Sequence, residues 1–178
     1  MSFSKEQRGV LIGMAAGLII TIAGFVLAAF VEPFGSTDRP LTGRINLLTL
    51  CGLAPVLILG ASIARLAAHR FHTSQDLHGS GLKPDSERAK LLQALLQNTL
   101  EQMALALPTY SFWALLGPPH LFSLVPVAAA MFVFGRAFFF WGYSRGASGR
   151  AFGFALTFYP TVVLLAGAIV LAARITSP

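Results

Sequence analysis

Five apolar runs, each long enough to cross a bilayer as a helix, constrain this chain more than anything else in it. They cover residues 10–31, 47–68, 91–116, 121–143 and 151–175. About 20 consecutive apolar residues suffice to span the hydrocarbon core. Composition agrees: 55% of the residues are hydrophobic and 11% are charged, against the roughly 25% charged of an ordinary soluble domain. So little polar surface cannot wrap a water-soluble core. The sequence therefore predicts an all-α integral membrane protein with five spans.

The first run follows Lys5 and Arg8, as a signal peptide would, but it is longer than an h-region of about 7–15 residues and no cleavage site follows it. It is read as a retained helix, in which Gly13 and Gly17 form a GxxxG pattern that permits close helix contact. Between the second and third runs lies the only sizeable hydrophilic segment. It carries His69, His72 and His78, read as solvated loop histidines, and Gly79, Ser80 and Gly81 as a flexible patch. Asp85 or Ser86 is expected to cap the next helix. No metal site is expected, because the histidine spacing lacks a defined ligand set. The single cysteine, Cys51, excludes an internal disulfide framework and reads as a packing thiol.

The net charge is +6, yet the cations gather at the ends of apolar runs instead of forming a nucleic-acid-binding stripe. Lys5, Arg8, Arg65, Arg70, Lys83, Arg88, Lys90, Arg145 and Arg150 collect on one side, and Arg39, Arg44 and Arg174 on the other. The positive-inside rule then puts the N-terminus and the long loop in the cytoplasm and the C-terminus outside. A bacterial inner membrane is the expected location.

Glu101 is the one acidic residue inside any of these runs, and Arg136 the one basic residue deep within a span. An ionisable group at membrane depth is costly and reads as a functional site with a partner. By helical rise Asn98 and Glu101 lie about 12 and 16 Å from Lys90, and Arg136 about 13 Å from Arg145. All three share a level, which predicts a Glu101–Arg136 ion pair completed by Asn98. Arg136, Phe139, Phe140 and Tyr143 recur at helical spacing, and Arg145 and Arg150 follow. That face suggests a groove for an amphiphile, with cations at its mouth and an apolar wall along the bilayer.

The segment Gln97-Asn98-Thr99-Leu100-Glu101-Gln102, with Pro108 beyond it, resembles the Asn-x-x-Glu motif of the MAPEG superfamily, membrane-associated proteins in eicosanoid and glutathione metabolism. Arg136 through Phe139, Gly142 and Tyr143 to Arg150 is similar to the Arg-x-x-Tyr-x-x-Gly-Tyr signature of that family, which a further arginine follows. The resemblance implies a MAPEG-like four-helix bundle over residues 44–178, with residues 1–43 adding an extra N-terminal transmembrane helix and its connection. It implies a homotrimer and a glutathione site between protomers toward the cytoplasm. Asn98, Glu101, Arg136, Tyr143 and Arg145 would bind glutathione, and Arg150 would stabilise its thiolate. The chain departs from the pattern at Ala94, where the family often has Arg, at Leu96, where it has His or Gln, and at Phe139, where it has Tyr. Two functions follow as expectations: a glutathione-dependent transferase or peroxidase acting on lipophilic substrates, and a non-catalytic membrane protein that binds a lipid or a partner. A transporter is disfavoured by the lack of inverted repeats and of a charged relay.

Overall fold

The computed structural model describes residues 3–32, 39–79 and 85–176. The expectations for residues 33–38 and 80–84, including most of the glycine patch and Lys83, lie outside the described residues. The described residues form five α-helices: α1 (Lys5–Val31), α2 (Leu41–His72), α3 (Glu87–Leu115), α4 (Leu124–Gly142) and α5 (Gly146–Thr176). Single 3₁₀ turns at Pro119–Leu121 and Tyr143–Arg145 connect the last three. No strand occurs among the described residues.

Local chemistry sets the helix starts. Ser4 and Gln7 form a reciprocal capping box at α1, and Ser86 accepts from the Ala89 amide to cap α3. Pro55, Pro108 and Pro160 lie inside α2, α3 and α5, positions a membrane bundle tolerates because neighbouring groups satisfy the freed carbonyls. Between α4 and α5 the chain reverses at Gly146, whose φ of 83° belongs to the left-handed region that glycine enters without steric cost.

The helices form an up-and-down bundle. α1, α3 and α5 start at the same end, where α2 and α4 finish. Contacts at that end show it directly: Glu6 Oε1 accepts from the Ala147 amide at 3.3 Å, and His69 at the end of α2 reaches Ser86 at the start of α3. Tyr110, Trp113, Phe122, Val125, Phe132 and Leu164 fill the core toward the other end. There Arg44 is buried and its guanidinium donates to the carbonyls of Trp113 and Gly117, both at 2.8 Å. A cation thus closes the C-terminal end of α3, where unsatisfied carbonyls concentrate negative potential.

The outward faces are apolar, with Ile12, Phe30 and Leu57 largely exposed. In water such a surface would be an aggregation liability, but it suits lipid. The segments Lys5–Val31, Leu41–His72 and Pro119–Ile175 are apolar enough to cross a membrane, the last folding back as α4 and α5. α3 is of similar length but more polar, and three of its polar residues, Gln97, Asn98 and Glu101, line the groove described next.

Candidate functional site

A groove of 480 Å³ opens between α1, α3, α4 and α5. α3 contributes Ala94, Gln97, Asn98 and Glu101. These recur at helical spacing and form one stripe of α3, polar at Gln97, Asn98 and Glu101, while Leu100 and Leu105 are exposed beside it. α4 contributes Phe139, and Tyr143 stands at its end. α5 contributes Ala147, Arg150, Ala151 and Phe154, and α1 adds Val10 and Met14. The volume lies within the usual range for small-ligand sites, about 300–1,000 Å³.

The predicted Glu101–Arg136 ion pair does not form. Glu101 is exposed to the groove and accepts a hydrogen bond from Gln97 Nε2 at 3.0 Å. Arg136 is fully buried behind Asn98. Its Nη1 donates to Asn98 Oδ1 at 2.7 Å, and its Nε and Nη2 donate to Thr157 Oγ1 at 3.2 and 3.1 Å. Its charged plane also lies 4.4 Å from the Phe139 ring centre, a cation–π contact that gains strength where water is absent. The reason for the difference is rotational. Asn98 and Glu101 lie three residues apart and fan by about 60° around a helix of 3.6 residues per turn, so only one of them faces α4. Asn98 takes that place and Glu101 turns into the open groove.

This arrangement fixes the polarity of Asn98. Because its Oδ1 accepts from a guanidinium, which can only donate, its Nδ2 is left as a donor. Arg136 therefore orients Asn98 and does not itself line the groove. Thr157, which sequence reasoning missed, is the residue that holds Arg136 from α5. Its hydroxyl also donates to the Gly153 carbonyl at 2.9 Å, so both lone pairs remain for the arginine.

Arg150 lies in the groove with its guanidinium 4.5 Å from the Tyr143 ring centre. Among the described residues no carboxylate pairs with it. The groove therefore presents one cation and one carboxylate, Arg150 and Glu101, that are not paired with each other. Arg145, expected in the same site, is exposed outside the groove and stacks at 3.7 Å on Trp141. Phe140 is also outside; it borders a separate 200 Å³ cavity with Arg65, Leu92 and Leu95. Leu96 is not among the lining residues, whereas Ala94 is.

Beyond the membrane, the loop histidines are not all free. Asp76, buried, accepts from the Ser86 amide at 2.8 Å, from Ser86 Oγ at 2.6 Å and from His69 Nε2 at 3.0 Å. His69 thus belongs to a clamp that ties α2 to the start of α3, a correction to its reading as a solvated side chain. The hydrogen bonds from Ser86, aided by His69, hold the Asp76 carboxyl below the usual carboxylate range.

Comparison with known proteins now bears on the site. Residues 47–170 match the MAPEG family, and that stretch contains every polar residue of the groove. The chain is 34% identical over 85 residues to the uncharacterized protein sll1147 of Synechocystis sp. (strain ATCC 27184 / PCC 6803 / Kazusa). That match takes in 48% of this chain and 58% of the relative, so the chain spans a little over half the length of the curated protein it matches. No solved structure matches. With the family match covering most of its length and a membrane-spanning helical bundle to accommodate it, the chain belongs to the MAPEG family.

Proposed function

We propose that this protein is a glutathione-dependent transferase or peroxidase that acts on lipophilic substrates within the membrane. The observation that carries the reading is the cation in the groove: Arg150 lines a ligand-sized groove, pairs with no carboxylate among the described residues, and lies beside the polar stripe of Asn98, Gln97 and Glu101. The residues fit a peptide thiol. Glu101 can receive an ammonium group and Asn98 Nδ2 can donate to a carboxylate or carbonyl, while Tyr143 and Arg150 stand across the groove. Glutathione, when bound, supplies the thiol that forms the new C–S bond as the leaving group departs with its electron pair.

Arg150 favours the ionised sulfur over the thiol, as a neighbouring cation does, and the thiol proton leaves to solvent at the mouth. Arg136 keeps the Asn98 donor aimed at the bound backbone. Phe139, Phe154 and the α1 side chains exclude water, which strengthens each polar contact inside. Assembly as a homotrimer is part of the proposal and is supported by family membership.

Purified protein should conjugate glutathione to a chloronitrobenzene, and particles should contain three chains by mass photometry. Arg150→Ala should lower the rate by about tenfold for each pKa unit the thiol regains, with partial recovery in Arg150→Lys. A protein that shows neither conjugation nor a glutathione-induced thermal shift is not this enzyme. One observation favours a second reading, a non-catalytic lipid- or partner-binding protein: Ala94 lines the groove where the family resemblance expects an arginine. That reading requires lipid binding without glutathione binding.

A further inference from the structure

α1 lies outside the segment that matches the family, yet it forms a wall of the groove. We propose that α1 is the substrate-selecting wall, and that Val10 and Met14 receive an unbranched alkyl or acyl chain carried by the substrate. The inference rests on the reading of the groove as a site for a lipophilic substrate.

Three observations support it. First, α1 is seated firmly on α5. A Cβ at Gly9 would lie 2.7 Å from Ser148 Cβ, one at Gly13 would lie 2.9 Å from the Phe152 amide, and one at Gly17 would lie 2.6 Å from Ala155 Cβ. These distances are too short for any side chain, so the glycines set a backbone-to-backbone contact over two turns. The matched numbering shows that the two helices run parallel and in register. Glu6 adds a polar tie by accepting from the Ala147 amide, one of the amides that α5 cannot satisfy within its own first turn. The wall is therefore held directly against α5 by close packing and one hydrogen bond.

Second, the side chains facing the groove define a slot. Val10 and Met14 are one helical turn apart on α1, and Ala147 and Ala151 are one turn apart on α5. Val10 and Met14 on one helix and the two alanines on its parallel neighbour thus give this side of the groove an apolar channel that runs along the helix axes. A linear chain fits such a channel better than a fused ring. Methionine, flexible and polarizable, adapts its shape to an occupant.

Third, the slot continues outward. A 600 Å³ cavity at the start of α1 shares Val10 and Ala147 with the groove; Phe3 and Leu11 extend the apolar lining there, and Ser4, Glu6 and Gln7 give it a polar edge. The polar stripe is on α3, so the apolar part of an amphiphile is left with α1 and its contact with α5.

Affinities of S-alkyl glutathiones and of n-alkyl carboxylates, each in a series of rising chain length, test the assignment on the full-length protein in detergent. Wild-type affinity should rise about fourfold for each methylene until the slot is full. Val10→Trp and Met14→Trp should end the rise at shorter chains and weaken the longest ligands by at least about tenfold. Ile12→Trp, on the lipid-facing side of α1, should follow the wild type. If Met14→Trp does not fold, Met14→Ala should instead move the optimum to longer chains. The proposal is overturned if the groove variants track the wild type, if wild-type affinity does not depend on chain length, or if neither series binds. Graded binding of the carboxylates alone, blocked by both tryptophans, would uphold the α1 assignment and remove glutathione.

Discussion

At the scale of single residues, a buried arginine without a carboxylate is the feature that most needs explaining. Arg136 has its charge spread over one amide oxygen, one hydroxyl and an aromatic face. Each contact is modest, but none is replaceable by water at that depth. Asn98→Leu should therefore destabilise the protein by about 2–3 kcal/mol, the cost of removing a partner from a buried charged group. Glu101→Gln should change stability by about 0.5 kcal/mol or less, as for a surface position, while weakening ligand binding. Denaturation in detergent would check both, and a reversal of the order would show that Glu101 has a buried partner after all. The sequence made the shared depth of Asn98, Glu101 and Arg136 legible, because rise per residue is a constant of the helix. It did not reveal which polar side chain turns toward α4. That depends on how α3 is rotated in the bundle, and it makes Asn98, not the carboxylate, the partner. Nor was Thr157 legible: a threonine in an apolar run bonds its own helix in most cases, as Thr99 and Thr109 do here.

At the scale of elements, the five helices were legible as apolar runs, but their ends were not. α2 begins at Leu41 and ends at His72, beyond the predicted 47–68, because hydropathy marks the membrane portion of a helix and not its hydrogen-bonded length. In the extra turns lie both Arg44, which closes α3, and His69, which joins the clamp below it. That clamp gives the α2–α3 connection a pH dependence whose sign is fixed. The Asp76 carboxyl is held below its ordinary value, first by the Ser86 hydroxyl and amide and then by His69. Its contribution is complete above the unfolded value, about 3.9, and is lost as the pH falls through the lower folded value. The connection should therefore stay protected from proteases and hydrogen exchange through neutral and mildly acidic pH, and open only on strong acidification. Asp76→Asn should open it already at neutral pH. Equal protection in that variant would show that the clamp contributes nothing. α1 illustrates the opposite case. Its existence was plain from its apolar run, but a glycine pattern is common in membrane helices, and only the fit of Gly9, Gly13 and Gly17 against α5 shows what the pattern is for.

At the scale of the whole molecule, charge and geometry agree on two distinct ends. The starts of α1, α3 and α5 carry Lys5, Arg8, Arg88, Lys90 and Arg150, and the ends of α2 and α4 add Arg65, Arg70 and the exposed Arg145. The opposite end holds Arg39, Arg44 and Arg174, and Arg44 is consumed in closing α3. Arg70 and Lys90 are likewise held by Asp85 and Glu87 at the first end, so pairing trims both ends and the bias toward the starts of α1, α3 and α5 persists. The positive-inside rule then predicts that the mouth of the groove, near Arg150 and Ala147, faces the cytoplasm. This matters for function, because a water-soluble thiol made in the cytoplasm could enter there while a lipophilic substrate approaches from the bilayer. Single cysteines in a Cys51→Ala background provide the test. His78→Cys, in the α2–α3 connection, should react with a membrane-impermeant maleimide only in inverted vesicles. Ile175→Cys, exposed at the far end of α5, should react only in right-side-out vesicles. The opposite pattern would turn the groove mouth to the exterior and cut the site off from cytoplasmic thiols, whatever its affinity for them.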